Sequence, residues 1–299
     1  MSDDAHLDPD RLERATETAI AHLLSERNEQ GWWTGELSTS ALSTAVASMA
    51  LLQYLLAHEP EAQARRSGHE STSMAGEEAT SNTSLALRAQ IDAGCRWLLA
   101  HRNADGGWGD TVESKTNVST TALCLATLTV WEAPGENREH RDDVVADARA
   151  WFDAAGGFEA VVTRYGKDKT FSVPILTHCA LAGLVPWERV TALPFELATL
   201  PPRFYAAIRL PVVSYALPAL IAIGHLRHIK RPSRNPIARL ARSLAVSRVM
   251  NRLESIQPEN GGFLEAAPLT GFVLMSLSAA GMAGHPVAKR CVAFLTGNV

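Results

Sequence analysis

The chain is 299 residues long, 46% apolar and 20% charged, and carries a formal net charge of −4. Such a chain can bury a large core, reads as soluble and globular, and need not be more than one domain. Its four cysteines, Cys95, Cys124, Cys179 and Cys291, are widely spaced in apolar stretches, with no C-x-x-C and no Cys-His cluster. That excludes a disulfide framework or a zinc site, so no metal and no cofactor is expected, and buried thiols in a reducing cytoplasm are.

Met1 to Asp10 is acidic and has no apolar run, so no secretory signal is expected there. Asp8-Pro9-Asp10 is a helix-start signal, and the aspartates around it favour a helix N-terminus rather than a carboxylate site. Asp10 to Arg27 is amphipathic and ends in Asn28-Glu29-Gln30-Gly31-Trp32-Trp33. Related endings recur as Asn103-Ala104-Asp105-Gly106-Gly107-Trp108, as Gly156-Gly157-Phe158 and as Glu259-Asn260-Gly261-Gly262-Phe263. Each copy implies the same local structure: a helix stops, glycine supplies a positive-φ turn, and an aromatic ring covers it before the next helix. Gly31 with Trp33, Gly106 with Trp108, Gly157 with Phe158, and Gly261 with Phe263 are therefore read as structural turn residues.

Ser38 to Leu56, Asn117 to Trp131 and Pro268 to Gly281, which follow these turns, are apolar on nearly every face and predict buried helices. Asp10 to Arg27 and Leu85 to His101, which precede them, predict an outer layer. From His58 to Ser84 the composition turns to Glu, Ser, Thr, Gly, Asn and Ala, and a disordered surface insertion at about 59–84 is expected. Residues 132–143 form a second polar connection, and Asp142-Asp143 after Arg141 are read as helix-capping.

Leu197 to Leu253 holds no Asp or Glu but ten basic residues, so +10 here stands against −14 in the rest of the chain. The asymmetry implies an anionic partner or a second part of a complex. Phe204 to Leu226 is apolar apart from Arg209 and is broken by Pro211 and Pro218, which argues against a spanning helix. Either it is a buried helix, or it meets a membrane surface with help from the basic stretch, where Arg234, Arg239, Arg242 and Arg248 are the candidate contacts. Nucleic acid is not expected, because no aromatic platform or reading motif accompanies the charge.

Gly94, Trp97 and Leu98, followed by Gly106 and Trp108, resemble the Gln-Trp repeat of squalene-hopene and oxidosqualene cyclases. The motif's glutamine falls on Arg27 and Arg102 in the first two copies and on Gln257 in the last. The tract from Ala182 to Tyr205 is similar to the segment after the family's third helix, and the order of segments resembles the amino-terminal half of such a cyclase. The resemblance implies an all-α fold, an α/α toroid of paired inner and outer helices over residues 1–299, with a squalene-like polyene as substrate. It places Ser214, Tyr215 and Ala219 on a helix that lines the substrate channel.

The family's D-x-D-D acid motif occurs nowhere in this chain, so no catalytic residue is assigned. Cys291 to Leu295 repeats Gly94 to Leu98 without a following turn, which leads to the expectation of a second cyclase half, in cis or in trans. The resulting expectation is a scaffold and channel domain, cytoplasmic or peripheral at the membrane, inactive alone. The alternatives are a helical interaction scaffold, a prenyltransferase-like subunit, for which no Asp-Cys-His zinc cluster is visible, and a carbohydrate-active toroid, whose paired carboxylates the inner helices lack.

Overall fold

The computed structural model describes residues 8–33, 38–66, 74–135, 137–166, 168–200 and 214–298; the side chains of 59–81, Ser214 and Asn298 lie outside the description. The chain divides into two compact units, residues 1–39 and 40–299. The described residues are all-helical, without strands.

The first unit holds α1 (Pro9–Ser25) and the turn after it. Asp8 caps the helix, its carboxylate accepting from the Asp10 N–H at 3.1 Å, with Pro9 in the first turn as the sequence predicts.

The second unit holds α2 (Ala41–Arg66), α3 (Met74–Ala100), α4 (Val118–Val130), α5 (Asn137–Ala154), α6 (Gly157–Tyr165), α7 (Lys169–Leu181), α8 (Leu217–Lys230), α9 (Pro236–Ser255), α10 (Ala267–Ala279) and α11 (Pro286–Asn298). Five of these form a closed ring in which α2 packs on α4, α4 on α7, α7 on α8, α8 on α10, and α10 back on α2. The remaining helices lie outside it: α3 on α2, α5 on α4, α6 on α4 and α7, α9 on α8, and α11 on α10. This is the two-layered α/α toroid expected from the alternation of apolar and amphipathic segments.

Sequence decides the layers. In α4 every residue from Ser119 to Leu128 is buried, and α7, α8 and α10 show similar runs, as helices apolar all round must. In α4 and α10 the polar residues are all small. Thr127 donates its hydroxyl within reach of the Ala45 carbonyl at 2.9 Å, and Cys124 lies 3.7 Å from the Ala41 carbonyl, so α4 runs parallel to α2. The seam of the ring is tightest at Gly271 of α10, where a Cβ would come within 2.7 Å of Val46 on α2; glycine is required for that approach. Ala41 to His58 is long and apolar enough to cross a membrane by composition, but half of that window is buried within the protein.

Two expectations need correction. Helix enters the polar segment at about 59–84 from both sides, as the ends of α2 and α3, while residues 67–73 and the side chains of 59–81 lie outside the description. Glu61-Ala62-Gln63-Ala64-Arg65-Arg66 are all good helix formers, and a polar composition forbids core packing, not helix. Asp142 and Asp143 do not cap α5, which starts five residues earlier at Asn137. Instead Asp142 pairs with Arg141 at 2.8 Å, and Arg141 donates to the carbonyls of Trp131 at 2.9 Å and Leu128 at 3.4 Å, closing the C-terminus of α4. Replacing Arg141 by Ala is expected to cost about 1–3 kcal/mol by urea titration, because it strands those carbonyls.

Candidate functional site: the turn network, the α4–α7 contact and the α8–α9 face

The repeated turns share one hydrogen-bond plan. Gly31, Gly106, Gly156 and Gly261 have φ between +85° and +99°, and the N–H of each donates to the carbonyl three residues back at 3.0–3.1 Å. In the third copy the positive-φ turn begins at Gly156, so Gly157 already opens α6; Phe158 there packs edge-on to Phe152, with ring centroids 4.9 Å apart. The second glycine serves close packing. A Cβ on Gly107 would fall 2.4 Å from Thr116, and one on Gly262 2.2 Å from the Phe294 ring of α11.

Trp108 is fully buried, and its indole N–H donates to the Leu98 carbonyl at 2.9 Å. The Trp108 backbone N–H reaches the Thr121 hydroxyl at 3.1 Å, and the buried Phe263 repeats that contact with Thr270 at 2.9 Å. Trp33 copies the indole bond, to Leu23 at 2.5 Å, yet remains 47% exposed. The described residues of the first unit are α1 and the turn after it, and within them the ring lies on Leu23 and Arg27 without being enclosed.

The glutamine position behaves as a family of solutions to one problem. Gln257 donates to the Gly261 carbonyl at 2.9 Å, and Arg27 reaches the equivalent Gly31 carbonyl at 2.6 Å. Arg102 turns instead to Asp147 on α5, at 3.1 Å.

Between α4 and α7, Thr127 and the fully buried His178 meet at 2.9 Å. The Thr127 hydroxyl has one proton and the Ala45 and Leu123 carbonyls within reach, so His178 donates from Nε2 and its buried Nδ1 is a bare acceptor. Burial lowers the His178 pKa from 6.5 to about 3, which fixes the ring as neutral. The pair ties α2, α4 and α7 together; no sequence signal singled it out. All four cysteines are buried free thiols, with burial raising the pKa of Cys179 to about 12.

The sequence-predicted channel residues separate. Tyr215, in a 3-10 turn at Ser214–Ala216, is half exposed, while Ala219 on α8 is buried. Residues 201–213, and with them half of the apolar segment from Phe204, lie outside the described residues. The described half, as α8, is buried in the ring from Pro218 to His228 apart from the half-buried Leu220, so it does not offer an apolar surface.

The basic stretch is partly neutralised. Arg227 is buried and donates to the Val190 carbonyl at 2.8 Å, Arg231 pairs with Glu188, and Arg242 grips both oxygens of Glu196 at 3.1 Å. Arg242 is thus no free surface cation, whereas Arg234, Arg239 and Arg248 are exposed. On α9, Ile237, Leu240 and Leu244 are 78%, 61% and 70% exposed. Their spacing of three and four puts them on one helix face, with Arg248 and Arg252 continuing it. The apolar and cationic surfaces therefore meet on α9 itself. Among the described residues no group of three or more His, Cys, Asp or Glu could hold a metal ion.

A family model described as squalene-hopene cyclase N-terminal domain matches residues 83–247, more than half of the chain. The enfumafungin synthase of Hormonema carpetanum is 31% identical over 135 residues, covering 44% of this chain and 9% of that protein.

Proposed function

Since the chain belongs to the squalene-hopene cyclase N-terminal domain family, we propose that it is the scaffold and channel domain of a triterpene cyclase, acting on a squalene-like polyene only with a second half that carries the D-x-D-D acid. The observation that carries this reading is the chemistry of the interior. The buried polar groups among the described residues are Ser, Thr, His and Arg, and no buried carboxylate accompanies them. Protonating an alkene needs a strongly acidic group shielded from water, and a carboxylic acid is the usual source. The purified chain should leave squalene unchanged, and should support cyclisation when mixed with a complementary half containing the motif. Turnover by this chain alone would overturn the proposal.

The outer face of α9 supports a second element of the same reading, contact with an anionic membrane surface from which an oily substrate is taken. Three exposed aliphatic side chains can enter the headgroup region while Arg234, Arg248 and Arg252 remain at the phosphate level. Each such cation contributes about 1 kcal/mol near an anionic surface. Vesicles containing phosphatidylserine should sediment the protein at low salt and release it as salt rises. Leu240→Asp with Leu244→Asp should abolish sedimentation, while Arg242→Gln should affect it little, because that guanidinium already holds Glu196. Equal binding to neutral and anionic vesicles would instead leave this face for a protein partner.

A further inference from the structure

The junction of α8, α9 and the 3-10 turn Phe195–Thr199 concentrates buried polar groups that the scaffold role does not use. Phe195 lies against Gly224 of α8, where a Cβ would come within 2.8 Å of its own Cβ, so the turn is seated directly on the helix backbone. Two histidines one helical turn apart flank that ring: His225 at 5.9 Å edge-on, and His228 at 6.1 Å between ring centroids. Both are buried, and in both Nδ1 has no hydrogen-bond partner. His228 Nε2 lies 3.4 Å from the Ser243 hydroxyl of α9.

The charges facing this pair are unbalanced. Glu196 on the 3-10 turn is a carboxylate already engaged by Arg242 of α9. Arg239 and Arg242 face from α9, Arg227 and Lys230 lie on α8, and Arg231 at its C-cap pairs with Glu188. The α10 helix, packed on the other side of α8, carries no titratable side chain, and α7 carries Lys169 at its start, the fully buried His178 and the Cys179 thiol, which burial keeps protonated.

We propose that His225 and His228 form an acid-sensitive latch that holds α9 and the Phe195–Thr199 turn on the ring when neutral and releases them when protonated. Protonation adds two cations to a junction that already holds the buried Arg227 and the partly buried Arg242, with Arg239 exposed at its rim, and the one carboxylate there, Glu196, cannot serve them all. Burial lowers the pKa of both rings, and for His228 the nearby Arg242 adds to the effect. Folded-state values below the unfolded one mean that the latch is fully closed above about pH 6.5 and weakens as the pH falls. The ring itself is held elsewhere, through α2, α4, α7 and α10, so α9 can leave without dismantling it. The latch stands whether or not α9 meets lipid.

The test places nitroxide labels at Ala241→Cys on α9 and Lys289→Cys on α11 in the full chain; the native cysteines are buried and escape labelling. Spin–spin distances should form one narrow population at pH 7.5 and gain a second, longer one below pH 6.5, with helicity by circular dichroism unchanged. His225→Gln with His228→Gln should keep the narrow population at every pH. Glu196→Gln, which leaves both histidines in place, should move the opening to higher pH and keeps the test alive where the double variant does not fold. Opening of the double variant alongside the parent, an unshifted midpoint in Glu196→Gln, or loss of helicity in the same step would each overturn the latch.

Discussion

Replacing Trp108 by Ala should lower the stability of the second unit by about 3–5 kcal/mol, read as a shift in urea midpoint without a change in slope. The ring is fully buried, held by Leu98 of α3 and with its backbone on Thr121 of α4, so truncation leaves a cavity the size of an indole. It also removes the indole N–H that the Leu98 carbonyl accepts from. Trp33→Ala is the control. That ring makes the same bond but is half exposed, and its removal should cost far less. Equal losses at both positions would mean that the bond, rather than burial, carries the energy.

The second large effect is acid lability centred on His178. A ring whose pKa falls from 6.5 to about 3 binds its proton in the unfolded chain long before the native one. Between those two values stability should therefore fall with decreasing pH, by roughly 1.4 kcal/mol per unit for this group alone. His178→Gln retains an amide donor toward Thr127 but cannot be protonated. Urea titrations at pH 7, 5 and 4 should show the parent losing stability relative to the variant at each step, with shared carboxylate effects cancelling in the difference. Parallel curves would show that the histidine is not the titrating group.

The elements legible in the sequence are those whose physics is local. Gly106, Gly107 and Trp108 specify a turn because the glycine φ and the bond from indole to Leu98 are contained within ten residues. The inner helices were legible because a helix apolar on every face has one place to go. The features that escaped depend on partners brought together by the ring. Arg242 looks like a surface cation until the fold returns Glu196, 46 positions away and one residue outside the acid-free stretch. His178 and Thr127 are 51 positions apart, with no motif to pair them. The apolar row on α9 is written in the spacing of 237, 240 and 244, but Arg239 and Arg242 stand between those positions and break the linear pattern.

The seam between α2 and α10 sets a condition on how the chain is made. Val46 and Gly271 meet there, about 225 positions apart, and the glycine approach admits no substitute neighbour. At a synthesis rate of roughly 5–20 residues per second, α2 waits about 10–45 s for the helix that will cover its inner face. During that time α3 and α4 can dock, but one apolar side of α2 has no permanent occupant. Closure is then a single late event of high contact order, and folding should be slow at that step even though each turn forms quickly. Recombinant yield should consequently respond more to temperature and chaperone supply during synthesis than the stability of the finished protein would suggest.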